Sequence, residues 1–229
     1  MANYLVIDAS TEACSVALNF QENVYHEFEL CPQSHSLMLL PMVDRLLAKA
    51  GCQLAELDGL IFGQGPGSFT GVRIGIGVAQ GLAFAAELPV VGVSTLQAMA
   101  QLAYEHYQQT QVIALIDARM SEVYCGQFTL NEQGIMVPVV EEAVLPPEKV
   151  AAHLTIASGY GVGAGWDAYG DILTPLKTNQ GSPEVLYPHA KAMLTIGNSL
   201  FAQGKSVSAE QAQPVYVRDT VSWKKLPGR

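Results

Sequence analysis

Charged residues are scarce in this sequence of 229 residues, and positive charge is scarcer still. Only 14% of the residues are Asp, Glu, Lys or Arg, and the acids outnumber the bases 21 to 12, which gives a formal net charge of −9. This balance argues against a protein that binds nucleic-acid phosphates through a basic surface. The C-terminal residues 214–229 differ, with four basic residues and one acid. Such a tail is usually solvated, and an acidic partner is the alternative.

Cysteine, paired histidine and long apolar runs are also rare. The five histidines show neither HxxxH nor HExxH spacing, so no metal site is expected. The longest apolar stretch, 74–86, is interrupted by Gln80 and is too short to cross a bilayer, and the N-terminus lacks the basic start of a signal peptide. We expect a cytoplasmic protein with no membrane contact. Four dispersed cysteines without a CxxC pair predict reduced thiols rather than a zinc cluster or a disulfide scaffold: Cys14, Cys31, Cys52 and Cys125.

Apolar residues make up 49% of the chain, which is enough for a sizeable core. Short apolar runs alternate with helical patterns, and this predicts an α/β fold. Residues 34–50 form the clearest amphipathic helix, which ends at Gly51. Further helices are predicted at about 70–86, 95–107 and 190–202.

A short internal repeat predicts two similar halves. LVIDA at residues 5–9 recurs as ALIDA at 114–118, and each is followed by a second apolar run. The predicted boundary gives lobes at 1–108 and 109–229. The second lobe is less regular, with a glycine-rich loop or turn at 159–165 and a strand at 216–218.

A glycine-rich loop at residues 65–71 lies between a predicted strand and a predicted helix. Backbone N–H groups in such a loop can hold an anion, or the loop is simply a tight connection. Glycines 71, 75, 77 and 81 continue into the helix. Each costs about 1 kcal/mol against alanine, so close packing should offset that cost, against the 34–50 helix or against a second protein.

Two acidic hairpin tips follow the repeated strands. At the first tip, Asp8, Ser10 and Thr11 could bind the phosphate of a magnesium nucleotide or could cap their own turn. At the second tip, Asp117 is followed by Arg119 and Met120 rather than by hydroxyl residues. If both tips once held a triphosphate, the second has degenerated.

These features together resemble the TsaB (YeaZ) family along essentially the whole chain. The GPGSFTGVRIG block at 65–75 is the most specific match. The C-terminal sequence WKKLPG at 223–228 is similar to that of gamma-proteobacterial members. Other matching stretches are ID at 7–8, TEACSVAL at 11–18, FELCP at 28–32, GVSTL at 92–96, IDARM at 116–120, EVY at 122–124 and PVYVR at 214–218.

The resemblance implies an actin/Hsp70-like (ASKHA) fold with two similar lobes of mixed sheet and helices. It also implies a function as the essential, non-catalytic partner of the TsaD transferase. That complex makes N6-threonylcarbamoyladenosine at the adenosine 3′ to the anticodon, in tRNAs that read codons beginning with A. The resemblance further implies that the ATPase TsaE supports turnover, that the isolated chain forms a homodimer, and that tRNA is contacted only through the complex.

The same resemblance predicts what the chain lacks. Thr95 and Met99 fall at the positions of the metal-binding histidines of TsaD, and neither replaces imidazole well. Ala9 stands where nucleotide-binding relatives favour glycine, so Asp8, Ser10 and Thr11 form a degenerate phosphate tip. We therefore expect no peptidase or ATPase activity and no cofactor on this chain alone, with ATP or ADP bound only in the complex.

The resemblance places the partner and homodimer interface on the 34–50 helix and the glycine-rich helix. The predicted interface residues are His35, Leu39, Met42, Val43, Leu46, Arg73 and Gly75. Two other functions stay open at this point. One is a stand-alone phosphotransferase or metal-dependent hydrolase, and the other is tRNA recruitment by the basic tail.

Overall fold

The computed structural model describes residues 2–218, so the tail residues 219–229, with Lys224 and Lys225, lie outside the described part. Its first half forms a five-stranded mixed sheet in the order β3-β2-β1-β4-β5. Strands β1, β2 and β3 form an antiparallel meander, while β4 and β5 continue parallel to β1. The strands are β1 (Tyr4–Asp8), β2 (Ala13–Phe20), β3 (Asn23–Leu30), β4 (Gly59–Gly65) and β5 (Val90–Ser94).

Two long helices cover one face of this sheet. Helix α1 (His35–Ala50) ends at Gly51, which takes the left-handed conformation expected of a residue that terminates a helix. Helix α2 (Phe69–Ala85) is capped at its N-terminus by Ser68, whose side chain accepts a hydrogen bond from the Gly71 amide. The apolar faces of both helices pack on alternate residues of β1 and β2, which forms the main core of the first half.

The second half repeats the plan on a smaller scale. Helix α3 (Thr95–Tyr107) leads into a sheet in the order β10-β6-β7-β8, with β9 also paired to β7. As in the first sheet, the first two strands are antiparallel and a later strand adds parallel to the first of them. The strands are β6 (Gln111–Asp117), β7 (Val123–Leu130), β8 (Met136–Pro138), β9 (Ala143–Leu145) and β10 (Tyr160–Val162).

The remaining helices divide between the two halves. Helix α4 (Pro147–His153) and the single-turn helices α5 (Gly165–Ala168) and α6 (Gly170–Leu173) belong to the second half. Helix α7 (Ala190–Ala202) packs instead on the first sheet, where the Ala190 amide donates to the Ser15 hydroxyl of β2. The division at residue 108 therefore separates the two sheets but not every helix, and it stays a prediction about folding units.

Two predictions about the second half are wrong. Residues 159–165 are not merely a loop, because they contain β10 and the start of α5. Residues 216–218 form no strand, since this segment pairs with neither sheet and is fixed instead by the Val215 amide, which donates to the Gln64 carbonyl. Within residues 2–218, no helix has both the length and the apolar character needed to cross a membrane.

Candidate docking face and interlobe cleft

The β1–β2 tip is buried rather than open. Asp8, Ser10 and Thr11, the predicted phosphate-binding residues, are each less than 5% exposed. The loop between β4 and α2 covers them, and the Ser68 amide donates a 2.7 Å hydrogen bond to the Ser10 carbonyl. The structure therefore brings the three residues together, but under a lid formed by the chain itself.

Two glycines make this close cover possible. A Cβ atom on Gly67 would overlap the Ser10 carbonyl, and one on Gly71 would overlap the Ala9 carbonyl. Both obstacles are backbone atoms, which cannot rotate away as a side chain can. The glycine-rich loop thus serves as a tight connection that seals the tip.

The buried Asp8 carboxyl has an unusual environment. Its Oδ2 accepts a 3.4 Å hydrogen bond from the Ser10 amide, while its Oδ1 has no partner in the described part of the chain. Burial raises the pKa of Asp8 to about 6, and the Ser10 hydrogen bonds and nearby His35 offset only part of that effect. Asp8 is therefore a buried acid with an elevated pKa, not an exposed magnesium ligand.

A cleft of about 340 Å³ lies between the two hairpin tips. Arg119 from the second tip pairs with Asp117 at 2.9 Å and approaches Glu12 of the first tip at 3.8 Å. Arg218 closes one side, because its guanidinium pairs with Glu122 at 2.5 Å and donates to the Ala118 carbonyl at 3.2 Å. Ion pairs between the chain's own side chains therefore line this cleft.

The second tip is open and locally strained. Arg119, Met120 and Ser121 are three consecutive residues with positive φ, at 61°, 54° and 60°. This conformation costs roughly 1–2 kcal/mol for each non-glycine residue. Asp117 supports the turn by accepting a hydrogen bond from the Arg119 amide at 3.0 Å and another from the Tyr169 hydroxyl at 3.2 Å. Met120 remains largely exposed at the end of the turn.

The predicted interface on α1 needs correction. Its four apolar members are at most 1% exposed, because they face the chain's own sheet and form part of its core. His35 and Gly75 are buried as well, and only Arg73 lies on the surface. Six of the predicted interface residues are therefore buried and do not reach the surface: His35, Leu39, Met42, Val43, Leu46 and Gly75.

A different set of residues forms the outer surface of these helices. On α1, Leu37 is 73% exposed and Leu40 is 47% exposed. On α2, Phe69 and Phe84 are each more than 60% exposed and lie near opposite ends of the helix. We call these four residues, with the exposed glycines Gly77 and Gly81 between the two phenylalanines, the α1–α2 face.

The glycines of α2 divide between the two sides of the helix. Gly71 and Gly75 point inward to Ala9, whereas a Cβ on Gly77 or Gly81 would meet no atom within 4 Å. The sequence offered two reasons for these glycines, packing within the chain and packing against a second protein, and each reason fits one pair. The inward pair packs within the chain. In the described part of the structure, no neighbouring atom requires the outward pair to be glycine.

One end of the face is held by an aromatic cluster. The Arg73 guanidinium lies 3.5 Å from the ring centroid of Phe69, and its Nε donates to the Tyr216 hydroxyl at 2.9 Å. Phe69, Arg73 and Tyr216 also line a groove of about 670 Å³ beside the cleft. Arg73 thus orders exposed apolar surface at the start of α2.

Thr95 and Met99 lie in the core at the start of α3. Both are fully buried, Met99 within the apolar core of the second half, and neither faces an open site. The neighbouring Ser94 caps α3 by accepting from the Gln97 amide and donates to the Glu142 carboxylate. Burial raises the pKa of Glu142 to about 7, partly offset by that hydrogen bond.

The structure also assembles a cluster that the sequence did not indicate. Cys14, Cys31 and His35 are buried, and one ligand-type atom of each lies within 4.8 Å of the others. The signal available in the sequence was the four-residue spacing of Cys31 and His35 at a strand-to-helix turn. Cys14 joins them only because β2 and β3 pair.

Comparison with known proteins places the chain in a family. The family model of TsaD, tRNA N6-adenosine threonylcarbamoyltransferase, matches residues 16–170. The tRNA threonylcarbamoyladenosine biosynthesis protein TsaB of Escherichia coli (strain K12) is 50% identical over 227 residues, covering 98% of each chain. The chain belongs to the TsaB family. The TsaB protein of Haemophilus influenzae is 43% identical and covers 98% of this chain and 97% of that one.

A solved structure agrees with this assignment to the TsaB family. YeaZ from Pseudomonas aeruginosa has a TM-score of 0.86 and 45% identity, covering 94% of this chain and all of that chain. The resemblance stated from the sequence is therefore confirmed. The α/β fold with two mixed sheets is confirmed with it, and the strand order of the first sheet is repeated in the second.

Proposed function

We propose that this chain is the non-catalytic partner subunit of the TsaD transferase in N6-threonylcarbamoyladenosine modification. The substrate is the adenosine 3′ to the anticodon in tRNAs that read codons beginning with A. The names of its relatives, which are tRNA threonylcarbamoyladenosine biosynthesis proteins, support the pathway. The match of residues 16–170 to the TsaD family model supports a role connected with that transferase.

The α1–α2 face is the observation that carries this proposal. Gly77 and Gly81 together cost the isolated chain about 2 kcal/mol of helix propensity, and no contact in the described structure offsets it. Small residues let a partner helix approach closely, and the flanking Phe69 and Phe84 supply apolar area to bury. Left uncovered, such a face would favour aggregation.

We assign one face to two alternative partners. TsaD covers the α1–α2 face in the active complex, and a second copy of this chain covers it when TsaD is absent. TsaE and tRNA then join through the complex, in the cytoplasm. We expect little direct binding of tRNA phosphates by this chain, because it is acidic overall.

The lack of independent catalysis is also part of the proposal. Thr95 and Met99 lie in the core and present no imidazole, and the lid at Ser68 covers the first tip. We expect neither peptidase nor ATPase activity from this chain alone. ATP or ADP would bind only where TsaD completes a site.

The decisive experiment reconstitutes tRNA threonylcarbamoylation from purified components, with and without this chain. We expect product only when both this chain and TsaD are present, and no nucleotide or peptide hydrolysis by this chain alone. Full activity of TsaD without this chain would overturn the assignment. Metal-dependent or nucleotide-dependent turnover by this chain alone would favour a stand-alone enzyme.

The α1–α2 face has a test in which two effects oppose each other. At concentrations low enough to keep the chain monomeric, Gly77→Ala with Gly81→Ala should raise the free energy of unfolding by about 1–2 kcal/mol, because the added methyl groups meet nothing within the chain. The same methyl groups should weaken TsaD binding by about tenfold to a hundredfold, because they crowd a close helix contact. Urea denaturation and isothermal titration calorimetry measure the two effects.

Gly170→Ala is the matched control for that test. It makes the same change in α6, where a Cβ would meet only the Thr174 hydroxyl at an ordinary 3.8 Å. We expect it to leave TsaD binding and homodimer formation unchanged. A stabilised double variant that still binds TsaD as tightly as the wild type would show that the interface lies elsewhere.

A further inference from the structure

Three side chains with metal-ligating atoms converge beneath the first hairpin tip. Cys14 lies in β2, Cys31 follows β3, and His35 opens α1. One ligand-type atom from each lies within 4.8 Å of the other two, and all three residues are at most 8% exposed. Small side-chain adjustments would bring such atoms to the spacing that a tetrahedral ion requires.

The backbone around these residues is firmly held. The Cys31 amide donates to the Glu12 carbonyl at 3.0 Å, and the Cys31 carbonyl accepts from the Ser34 amide at 2.9 Å. These bonds fix the turn between β3 and α1. The two ligands on either side of that turn, Cys31 and His35, therefore approach Cys14 from a defined direction.

A backbone hydrogen bond orients the ring of His35. Its Nε2 lies 2.7 Å from the Thr11 carbonyl. Because a carbonyl oxygen can only accept, the hydrogen sits on Nε2 and the lone pair sits on Nδ1. A histidine oriented by a backbone carbonyl through one nitrogen is the usual supporting arrangement for a metal ligand on the other nitrogen.

We propose that Cys14, Cys31 and His35 form a binding site for a thiophilic divalent cation of the Zn²⁺ class. Two thiolates and one imidazole are the donor set that zinc prefers, and they disfavour magnesium or calcium. Within the described residues no other Cys, His, Asp or Glu joins the group, so water or another small ligand takes the fourth position. This revises the expectation that the chain binds no metal.

The site would tie together β2, the end of β3 and the start of α1, which lie beside the first tip. A bound cation would link β2 to the start of α1, and His35 would pass that link to Thr11 through its hydrogen bond. The expected role is structural, because the site is buried and none of its three residues lines the interlobe cleft. The inference is independent of the proposed function, and it is tested without TsaD or tRNA.

The test uses the purified full chain, reduced and stripped with a chelator. Titration with Co²⁺ alone should give one equivalent of binding with a thiolate-to-cobalt charge-transfer band, and Zn²⁺ should then abolish that band. Zn²⁺ should also raise the Tm of the wild type, because it binds the folded state preferentially. Absence of stoichiometric binding by the reduced wild type would overturn the proposal.

Matched variants separate ligation from a general effect on folding. Cys31→Ser and His35→Gln should each weaken Zn²⁺ binding by roughly 100-fold or more and remove the Tm increase. His35→Gln retains an N–H group for the Thr11 carbonyl, and circular dichroism checks that both variants fold. Cys52→Ser and Cys125→Ser replace buried cysteines outside the cluster, and both should bind as the wild type does.

Two further outcomes would count against the site. Equal loss of binding in Cys52→Ser would assign the effect to the fold rather than to ligation. A mass two hydrogens below that of the dithiol form, persisting after treatment with reductant and mapped to Cys14 and Cys31, would assign the pair to a buried disulfide. Either result would remove the cation site.

Discussion

The two hairpin tips begin from the same sequence pattern and end in opposite states. At the first tip, Asp8 is buried beneath the glycine-rich loop. At the second tip, Asp117 is partly exposed, and Arg119 and Met120 project into solvent. The repeated IDA sequence therefore predicts the two strands but not the accessibility of the carboxylate that follows them.

The connection after the neighbouring parallel strand explains the difference. After β4, Gly67 and Gly71 reach the backbone of Ser10 and Ala9, beyond Asp8 in the chain. After β10, Gly163 instead meets the Leu115 carbonyl, two residues before Asp117. Both lobes use glycine to bring a strand-to-helix turn against the central hairpin, but only the first turn extends far enough to cover the tip.

The largest expected effect concerns the buried acid of the first tip. The folded-state pKa of Asp8 is about 6 against an ordinary 3.8, so its contribution to stability is complete below pH 4 and is lost as pH rises through 6. That loss amounts to roughly 3 kcal/mol by pH 8. Asp8→Asn should therefore become more stable relative to the wild type by about that amount between pH 4 and pH 8, as measured by urea denaturation.

Asp117→Asn provides the contrast at the open tip. It removes a solvent-exposed ion pair with Arg119, for which about 1 kcal/mol or less is expected. If Asp8→Asn kept the pH dependence of the wild type, the two tips would not differ electrostatically as described.

The next effect concerns the cover over the first tip. Gly71→Ala should lower the free energy of unfolding by about 2 kcal/mol, because the new methyl group overlaps the Ala9 carbonyl and outweighs the gain in helix propensity. Gly75→Ala is the control one turn later, where the Cβ would lie 3.5 Å from the Ala9 Cβ, an ordinary contact. Equal stabilities for the two variants would contradict a tightly sealed tip.

The smallest effect concerns strain in the second tip. Ser121→Gly should raise the free energy of unfolding by about 0.5 kcal/mol, because glycine adopts positive φ without steric cost and loses only part of that gain to chain entropy. Ser182→Gly makes the same change at an exposed residue without positive φ, and it should be slightly destabilising. Thermal and urea denaturation compare the two variants, and a destabilised Ser121→Gly would contradict strain at this turn.

Helices were the most predictable part of the fold. The amphipathic pattern predicts α1, α3 and α7 nearly to the residue, because a periodic apolar stripe persists over three or more turns. Strand β3 is different, since it lies at a sheet edge and its alternate apolar residues Val24, Phe28 and Leu30 are exposed. The three-residue strands β8, β9 and β10 are too short to show any period.

The candidate site was less predictable, because a helical period cannot distinguish two apolar neighbours. The stripe Leu39, Met42, Val43 and Leu46 suits a partner interface and a core equally well, and the structure assigns it to the core. The residues that do reach the surface, Leu37 and Leu40, lie outside that stripe. Among the glycines of α2, only the distance to Ala9 separates the inward pair from the outward pair.

The sequence by itself determined the family, the long helices and the internal repeat, because these follow from residue types at short spacings. Only the tertiary structure decided which residues are accessible. The lid over Asp8 depends on the contact between Ser68 and Ser10, which lie 58 residues apart in a sequence that gives no sign of it. The cluster of Cys14, Cys31 and His35 likewise exists only because β2 pairs with β3 and α1 folds back across them.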